Sequence, residues 1–241
     1  MTGVTRAVIL AAGRGTRLGG LTAETPKPLL MVGGRPILVR IVDGLIRAGI
    51  DDVAIVTGYL GERIESEIGN GAASGVSVTY FRQQQFDGTA RALALARQHL
   101  GEERFVFAWG DILVRPENYR TVVRRSRLSD AVVAVNEVDD PWAGAAVYVD
   151  DAMRVTRMVE KPAQGTSATK WNNAGFGVLG PEIWPLIDTL ETSSRGEYEL
   201  PQAIAALIAT GANVAACPVE GPWFDVGTPE QLETARREFS R

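Results

Sequence analysis

Cysteine and histidine are each represented by one residue in this chain of 241, and Phe, Trp and Tyr together reach only 7%. The lone Cys217 rules out an intramolecular disulfide. No stretch has the charge, length and flanks of a signal peptide or of a membrane span, so the expectation is a cytoplasmic protein without a membrane partner. The lone His99 falls late in a periodic helical stretch and reads as a helix C-terminal residue rather than a catalyst. Positive charge is also in deficit, with 25 Lys and Arg against 29 Asp and Glu. A net charge of −4 argues against nucleic acid as the main partner, because phosphate-backbone binders need a basic surface. Repeats, low-complexity segments and hinge-like linkers are missing. At 45% hydrophobic and 22% charged, the chain can bury a sizeable core yet is short for two ordinary domains, so residues 1–241 read as one domain.

What is present alternates between two periodicities. Short β-branched runs occur at 7–11, 53–57, 76–81, 105–109, 131–136, 145–149 and 213–219, and amphipathic stretches at 36–48, 89–100 and 198–209 lie between several of them. That pattern predicts an α/β fold, a Rossmann-like, mostly parallel sheet flanked by helices. Thr228 followed by Pro229 predicts the N-cap and first residue of a closing helix. Ligands of such sheets bind beyond the carboxyl ends of the strands.

After the first strand comes a glycine-rich, doubly basic loop. It reads Leu10-Ala11-Ala12-Gly13-Arg14-Gly15-Thr16-Arg17, and Thr25-Pro26-Lys27-Pro28-Leu29-Leu30 follows. Gly13 and Gly15 let backbone amides approach phosphate oxygens, and Arg14, Arg17 and Lys27 supply the charge that a polyphosphate requires. Pro26 and Pro28 fix φ on both sides of Lys27 and so position the lysine. A P-loop would need Gly-Lys-Ser/Thr, which Gly15-Thr16-Arg17 does not supply. A dinucleotide fold would need a carboxylate closing the second strand, and Val53-Ala54-Ile55-Val56 runs into Thr57-Gly58-Tyr59 instead. The bland alternative is a tight turn that happens to be basic.

With Val32-Gly33-Gly34-Arg35-Pro36-Ile37-Leu38 after it, the opening closely resembles the nucleotide-sugar pyrophosphorylases. These nucleotidyltransferases join a nucleoside triphosphate to a sugar 1-phosphate. The molybdenum-cofactor nucleotidyltransferases resemble it less, for want of the Thr-Pro-Lys-Pro-Leu element. The resemblance implies a short form without the C-terminal β-helix of larger relatives, with Leu10, Ala11, Ala12, Gly13, Arg14, Gly15 and Thr16 forming the nucleotide loop. It implies catalytic roles for Arg17, Lys27 and Lys161, and Mg²⁺ held by Asp111, at the end of Phe105-Val106-Phe107-Ala108-Trp109-Gly110-Asp111, and Asp225, in Trp223-Phe224-Asp225-Val226-Gly227-Thr228. Taken singly, either aspartate is as well explained by a turn or a helix cap.

In Met158-Val159-Glu160-Lys161-Pro162 the resemblance assigns Lys161 to the sugar phosphate and Glu160 to sugar hydroxyls. The proline biases Lys161 toward extended backbone. An ordinary surface ion pair is the alternative. Gly144 matches a family glycine that admits the sugar closely. For the base, Gln83 and Gly88 hold the matching places, with Gln84 or Gln85 as alternatives in the glutamine run and Thr89 as a nucleotide contact and a predicted N-cap. Trp171-Asn172-Asn173 departs from better-known relatives. Two amides beside a tryptophan suit a polyol or sugar ring, and equally suit a turn. Arg195-Gly196-Glu197-Tyr198-Glu199 matches a segment that borders the acceptor in the family.

The expected reaction is in-line attack by the acceptor's phosphate oxygen on the α-phosphorus, with release of pyrophosphate. Its partners are a nucleoside triphosphate and a sugar phosphate, and a homo-oligomer is compatible with the sequence. Two other readings stay open: a CTP-dependent cytidylyltransferase acting on an alcohol or cyclitol phosphate, and a non-catalytic regulatory homologue that binds nucleotide. The base and the acceptor are left undefined.

Overall fold

The computed structural model describes residues 3–239; the outermost residues of the expected 1–241 domain lie outside them. Nine strands form one sheet, in the order β10-β9-β11-β6-β1-β4-β5, with β8 added on β11 and β12 on β8. The first half runs β1 (Arg6–Ala11), the short β2 (Met31–Val32) and β3 (Arg35–Pro36), α1 (Ile37–Arg47), β4 (Asp52–Thr57), α2 (Gly61–Ile68), β5 (Ser77–Arg82), α3 (Thr89–Leu95), α4 (Arg97–Leu100) and β6 (Phe105–Trp109). Here β5, β4, β1 and β6 are parallel neighbours. The second half comprises β7 (Ile112–Val114), α5 (Glu117–Arg125), β8 (Ala131–Glu137), β9 (Ala145–Val149), β10 (Val155–Glu160), β11 (Trp171–Leu179), α6 (Ile183–Asp188), α7 (Leu200–Ala209), β12 (Val214–Pro218), β13 (Trp223–Asp225) and α8 (Pro229–Glu238). Strand β11 enters antiparallel to β6, so this half of the sheet is mixed.

Strand β1 explains the two-sided burial. Ala7, Ile9 and Ala11 point into one core with Ile37, Leu38 and Ile41 of α1, and Val8 and Leu10 point into the other with Leu93, Trp184 and Ile204. A strand covered on both faces reads as a continuous apolar run, as this one does.

Three local expectations need correction. The stretch 89–100 breaks at Ala96 (φ −90°, ψ 0°) into α3 and α4. Thr89 does not cap its own helix: Gly88 holds the N-cap position, and the Thr89 hydroxyl accepts the Leu200 N–H at 2.8 Å, at the start of α7. Residues 171–179 form the longest strand, which removes the turn reading of Asn172-Asn173. Asparagine and glycine carry low strand propensity, but here the neighbours decide. Gly175 sits at φ +84° where the register slips, and a Cβ there would lie 2.2 Å from Trp109 Cε3. As expected, Thr228 caps α8, its hydroxyl accepting the Gln231 N–H. His99 sits in the last turn of α4, 2.9 Å from Asp52 Oδ1 at the amino end of β4, the opposite end of that strand from the glycine loop.

Helices α1 and α5 touch through Gly44. A Cβ at that position would meet Tyr119 Cδ2 at 2.6 Å and Cε2 at 2.7 Å, and Tyr119 is only 2% exposed. Helix propensity alone would favour alanine there by about 1 kcal/mol. Overpacking against a ring that cannot move outweighs it, so Gly44→Ala is expected to destabilise by about 1–3 kcal/mol in urea denaturation. A gain in stability would show that the interface can open at no cost.

Candidate active site

The loops after β1, β4, β5 and β6 leave the sheet on one side, as parallel strands require, and β9, β10 and β11 bring their ends to the same side. A cleft of about 560 Å³ opens there. That size suits a small-molecule site.

Its floor is built by a two-stranded ribbon. Strands β7 and β13 pair antiparallel with Ile112 opposite Asp225, and the Val226 N–H donates to the Asp111 carbonyl at 3.1 Å. This register sets Asp111 and Asp225 side by side although they are far apart in sequence. Lys27 completes the group. Its flanking prolines shape a single 3₁₀ turn, Lys27–Leu29, and its ammonium lies 2.6 Å from Asp111 Oδ2 and 3.5 Å from Asp225 Oδ1. The lysine is only 7% exposed because the glycine loop folds over its stem. Gly15, at φ +63°, would place a Cβ 3.1 Å from Lys27 Cβ, and Thr22 Oγ1 donates to the Gly15 carbonyl at 3.1 Å. Burial, and then the Asp111 charge, raise the Asp225 carboxyl above its ordinary range, while Lys27 and Arg17 pull it back. Arg17 lies against Gly227, where a Cβ would be 2.9 Å from Nη2. Among the described residues no group of three or more His, Cys, Asp or Glu side chains converges as a metal cage. Two carboxylates suit a hard cation that takes its remaining oxygens from phosphate and water.

At one end of the cleft, Leu10, Ala12, Gly13, Gln83, Gly88 and Thr89 line the wall. Gln83 is buried at 7% exposure, and its Nε2 donates to Asp87 Oδ1 and to the Gly88 carbonyl, both at 3.2 Å. Both partners only accept, which fixes the amide's orientation and leaves Oε1 as a free acceptor. Gln84 and Gln85 are exposed and do not line the cleft. Ala11, Arg14, Gly15 and Thr16 likewise stand outside its lining, and so does Lys27, which reaches the site only through its ion pairs with the lining residues Asp111 and Asp225. Arg14 instead sits over the Phe86 ring, 5.1 Å from the centroid.

The other end gathers Gly144, Glu160, Lys161, Asn172 and Asn173. Gly144 is required there, since a Cβ would stand 2.2 Å from Asn172 Oδ1. Asn172 donates to Asn136 Oδ1 at 3.1 Å and to the Asn173 carbonyl at 2.9 Å. Asn173 Oδ1 accepts the Gly175 N–H, while its Nδ2 is buried without a partner among the described residues. Lys161 departs from the extended backbone expected before proline. It adopts φ +42°, because its N–H turns to donate to the Gly144 carbonyl at 2.8 Å where β10 ends. Sequence reading gave Arg195 only as a border residue, yet its Nη2 reaches Glu199, Glu160 Oε1 at 3.5 Å and Glu197 Oε2 at 3.8 Å. Asp140, Phe86 and Gln231 also line the cleft and were missed. Only Phe86 carried a signal, as an aromatic beside the glutamine run.

Burial, together with the Glu199 and Glu197 charges, pushes the Glu160 carboxyl up to about 8 despite Arg195. A carboxyl raised on folding stabilises fully below its unfolded value near 4.5 and loses that contribution as pH rises toward 8. Glu160→Gln, which keeps the shape and removes the charge, is expected to raise the melting temperature more at pH 9 than at pH 5. The difference should be about 2–4 °C or more, roughly 1 kcal/mol in a chain of this size. An equal shift at both values would place the Glu160 carboxyl in its ordinary range.

A family model described as "Nucleotidyl transferase" matches residues 6–241. The chain is 35% identical over 238 residues to the UTP–glucose-1-phosphate uridylyltransferase AglF of Haloferax volcanii, covering 96% of this chain and 95% of that protein. It is 34% identical over 235 residues to the low-salt glycan biosynthesis nucleotidyltransferase Agl11 of the same organism, spanning 96% of this chain and 65% of that longer protein. A Bacillus anthracis protein described as a candidate glucose-1-phosphate thymidylyltransferase, solved with sucrose, superposes with a TM-score of 0.88 at 28% identity, covering 98% of this chain and 95% of that one.

Proposed function

The chain belongs to the nucleotidyl transferase family, and from that premise we propose that it transfers a nucleotidyl group from a nucleoside triphosphate to a sugar 1-phosphate, releasing pyrophosphate and forming a nucleoside diphosphate sugar. The observation that carries this reading is the Lys27 ammonium set between Asp111 and Asp225 beneath the glycine loop. The attacking phosphate oxygen is already anionic, so the protein's task is orientation and charge neutralisation rather than proton abstraction. Arg17 and Lys27 hold the triphosphate and the departing pyrophosphate. Lys161 holds the incoming phosphate, and Glu160, Asn172 and Asn173 meet the acceptor's hydroxyls. Asp111 and Asp225 are the residues that would hold Mg²⁺, which when bound neutralises phosphate charge and orients the reacting groups. The presence of both lysines and both aspartates favours an enzyme over a regulatory homologue. The lone buried thiol of Cys217 fits the reducing cytoplasm.

The free Oε1 of Gln83 supports a choice of base. An acceptor there pairs with a ring N–H, which uracil, thymine and guanine carry and which cytosine and adenine lack. Similarity to a relative named for UTP favours the pyrimidines, and so UTP or dTTP over the CTP of the alternative reading. In a pyrophosphate-release assay with glucose 1-phosphate and a set of polyol phosphates, UTP or dTTP should exceed CTP by about 10- to 100-fold in kcat/KM, the worth of one buried pairing. A preference for CTP with a polyol phosphate would install the cytidylyltransferase reading instead.

Lys27→Met keeps the stem and removes the charge. If the ammonium stabilises charge that develops as pyrophosphate leaves, kcat should fall by about 10²-fold with the circular dichroism spectrum unchanged. Turnover within a few-fold of the wild type would remove Lys27 from the chemistry.

A further inference from the structure

Phe86 is 44% exposed, yet it forms part of the wall at the Gln83 end of the cleft. Two neighbours hold its ring in place. Gly58 makes room for the ring edge, since a Cβ built there would lie 2.8 Å from Phe86 Cε1 and 2.6 Å from the Ala12 carbonyl. Arg14 covers one face, its guanidinium 5.1 Å from the ring centroid. Arg14 does not line the cleft and Phe86 does, so the face left to a ligand is the one opposite the guanidinium.

The two basic side chains of the glycine loop thereby part company. Arg17 is turned toward Gly227 and the Asp225 carboxylate, whereas Arg14 is turned away from them onto Phe86. Phe86 also shares a loop with Gln83. The Gln83 amide ties that loop internally, and the Tyr198 N–H anchors it by donating to the Asp87 carbonyl at 2.7 Å. One loop thus presents an acceptor for a base edge and an aromatic face for a base plane. Every base has a π-face, so stacking contributes affinity without choosing among bases, while the edge contact chooses.

We propose that Phe86 is the stacking surface for the nucleotide base, and that Arg14 is a positioning residue that backs the ring rather than a phosphate ligand. The inference rests on the nucleotidyltransferase reading above and adds a division of labour within its nucleotide site. It separates two roles that a basic residue in this loop can have. A phosphate ligand matters more as phosphates are added, and acts whether or not residue 86 is aromatic. A residue that backs the ring matters equally for mono- and triphosphate, and only while the ring is there.

Calorimetric titration with UTP and with UMP distinguishes them. Phe86→Leu is expected to raise Kd about 10-fold for both nucleotides, and Phe86→Tyr to keep it within about 2-fold of the wild type. Arg14→Gln should raise Kd about 3-fold for both, and should have no further effect when combined with Phe86→Leu. An Arg14→Gln loss several-fold greater for UTP than for UMP, or one that persists in the Phe86→Leu background, would make Arg14 a phosphate ligand and overturn its proposed role. Unchanged UTP affinity in Phe86→Leu would overturn the stacking role while leaving the nucleotidyltransferase reading intact. Failure of the wild type to bind UTP would remove the uridine-nucleotide site and this inference with it.

Discussion

A single buried ammonium, that of Lys27, lies 2.6 Å from one carboxylate of the cleft floor and 3.5 Å from another, and the remaining parts are arranged around that contact. Two carboxylates that share one ammonium repel each other, and burial first, then the Asp111 charge, displaces the Asp225 carboxyl upward. The lysine offsets the repulsion only if it is held. Pro26 and Pro28 fix its backbone, Gly15 and Thr22 close the loop over its stem, and the ribbon of β7 and β13 delivers the second aspartate in register. Removing the buried ammonium would leave two half-buried carboxylates without a counter-charge, which costs more than losing a surface ion pair. The site and the local fold are therefore one construction.

The two ends of the cleft differ in chemical character. Arg17 lines the floor with Lys27 paired to its two aspartates beneath, whereas Glu160, Glu197 and Glu199 stand at the far end with Arg195 among them. Lys161 adds a cation at that far end, and the Glu160 carboxyl, raised to about 8, is uncharged near neutrality, so this end offers hydrogen-bonding groups to hydroxyls and a lysine to phosphate. A sugar phosphate carries both characters in one molecule. The alternation of strand directions makes this possible: parallel strands deliver the phosphate loops, and antiparallel β11 brings Asn172 and Asn173 to the same edge as the end of β10 with Glu160.

Much of the parallel half was legible because its signals are local. Buried strands read as apolar runs, and the glycine loop, Lys27, Asp111 and Asp225 stand in short motifs whose chemistry is carried by residue type. What was not legible depends on partners distant in sequence. Strand β11 was hidden because Asn172, Asn173, Gly175 and Gly177 are poor strand formers, and only contacts with Asn136, Trp109 and Phe107 make their choice sensible. The same holds for Thr89, whose hydroxyl serves a helix more than a hundred positions away, and for Lys161, whose turn is dictated by the Gly144 carbonyl rather than by Pro162. Local propensity governs where no stronger partner competes, and at the acceptor end partners compete at nearly every position.

That end also carries the largest share of unmet interactions in the cleft. Asn173 Nδ2, Trp109 Nε1 and Asp140 Oδ1 are buried without partners among the described residues, and Lys161 holds a left-handed backbone. An unpaired buried donor or acceptor costs about 1–3 kcal/mol, and a strained residue a similar amount. Around the glycine loop Lys27 and Thr22 are engaged within the protein, and of the Gln83 amide only Oε1 is left open. On the reading proposed above, a nucleotide meets one open acceptor, Gln83 Oε1, whereas the acceptor enters a region where the Asn173 and Trp109 N–H groups lack acceptors and Asp140 Oδ1 lacks a donor. Discrimination between substrates is steepest where buried polar groups are left unpaired by the wrong one. On that reading the choice of acceptor rests on Asn173 and its neighbours more than on the charges that bind its phosphate.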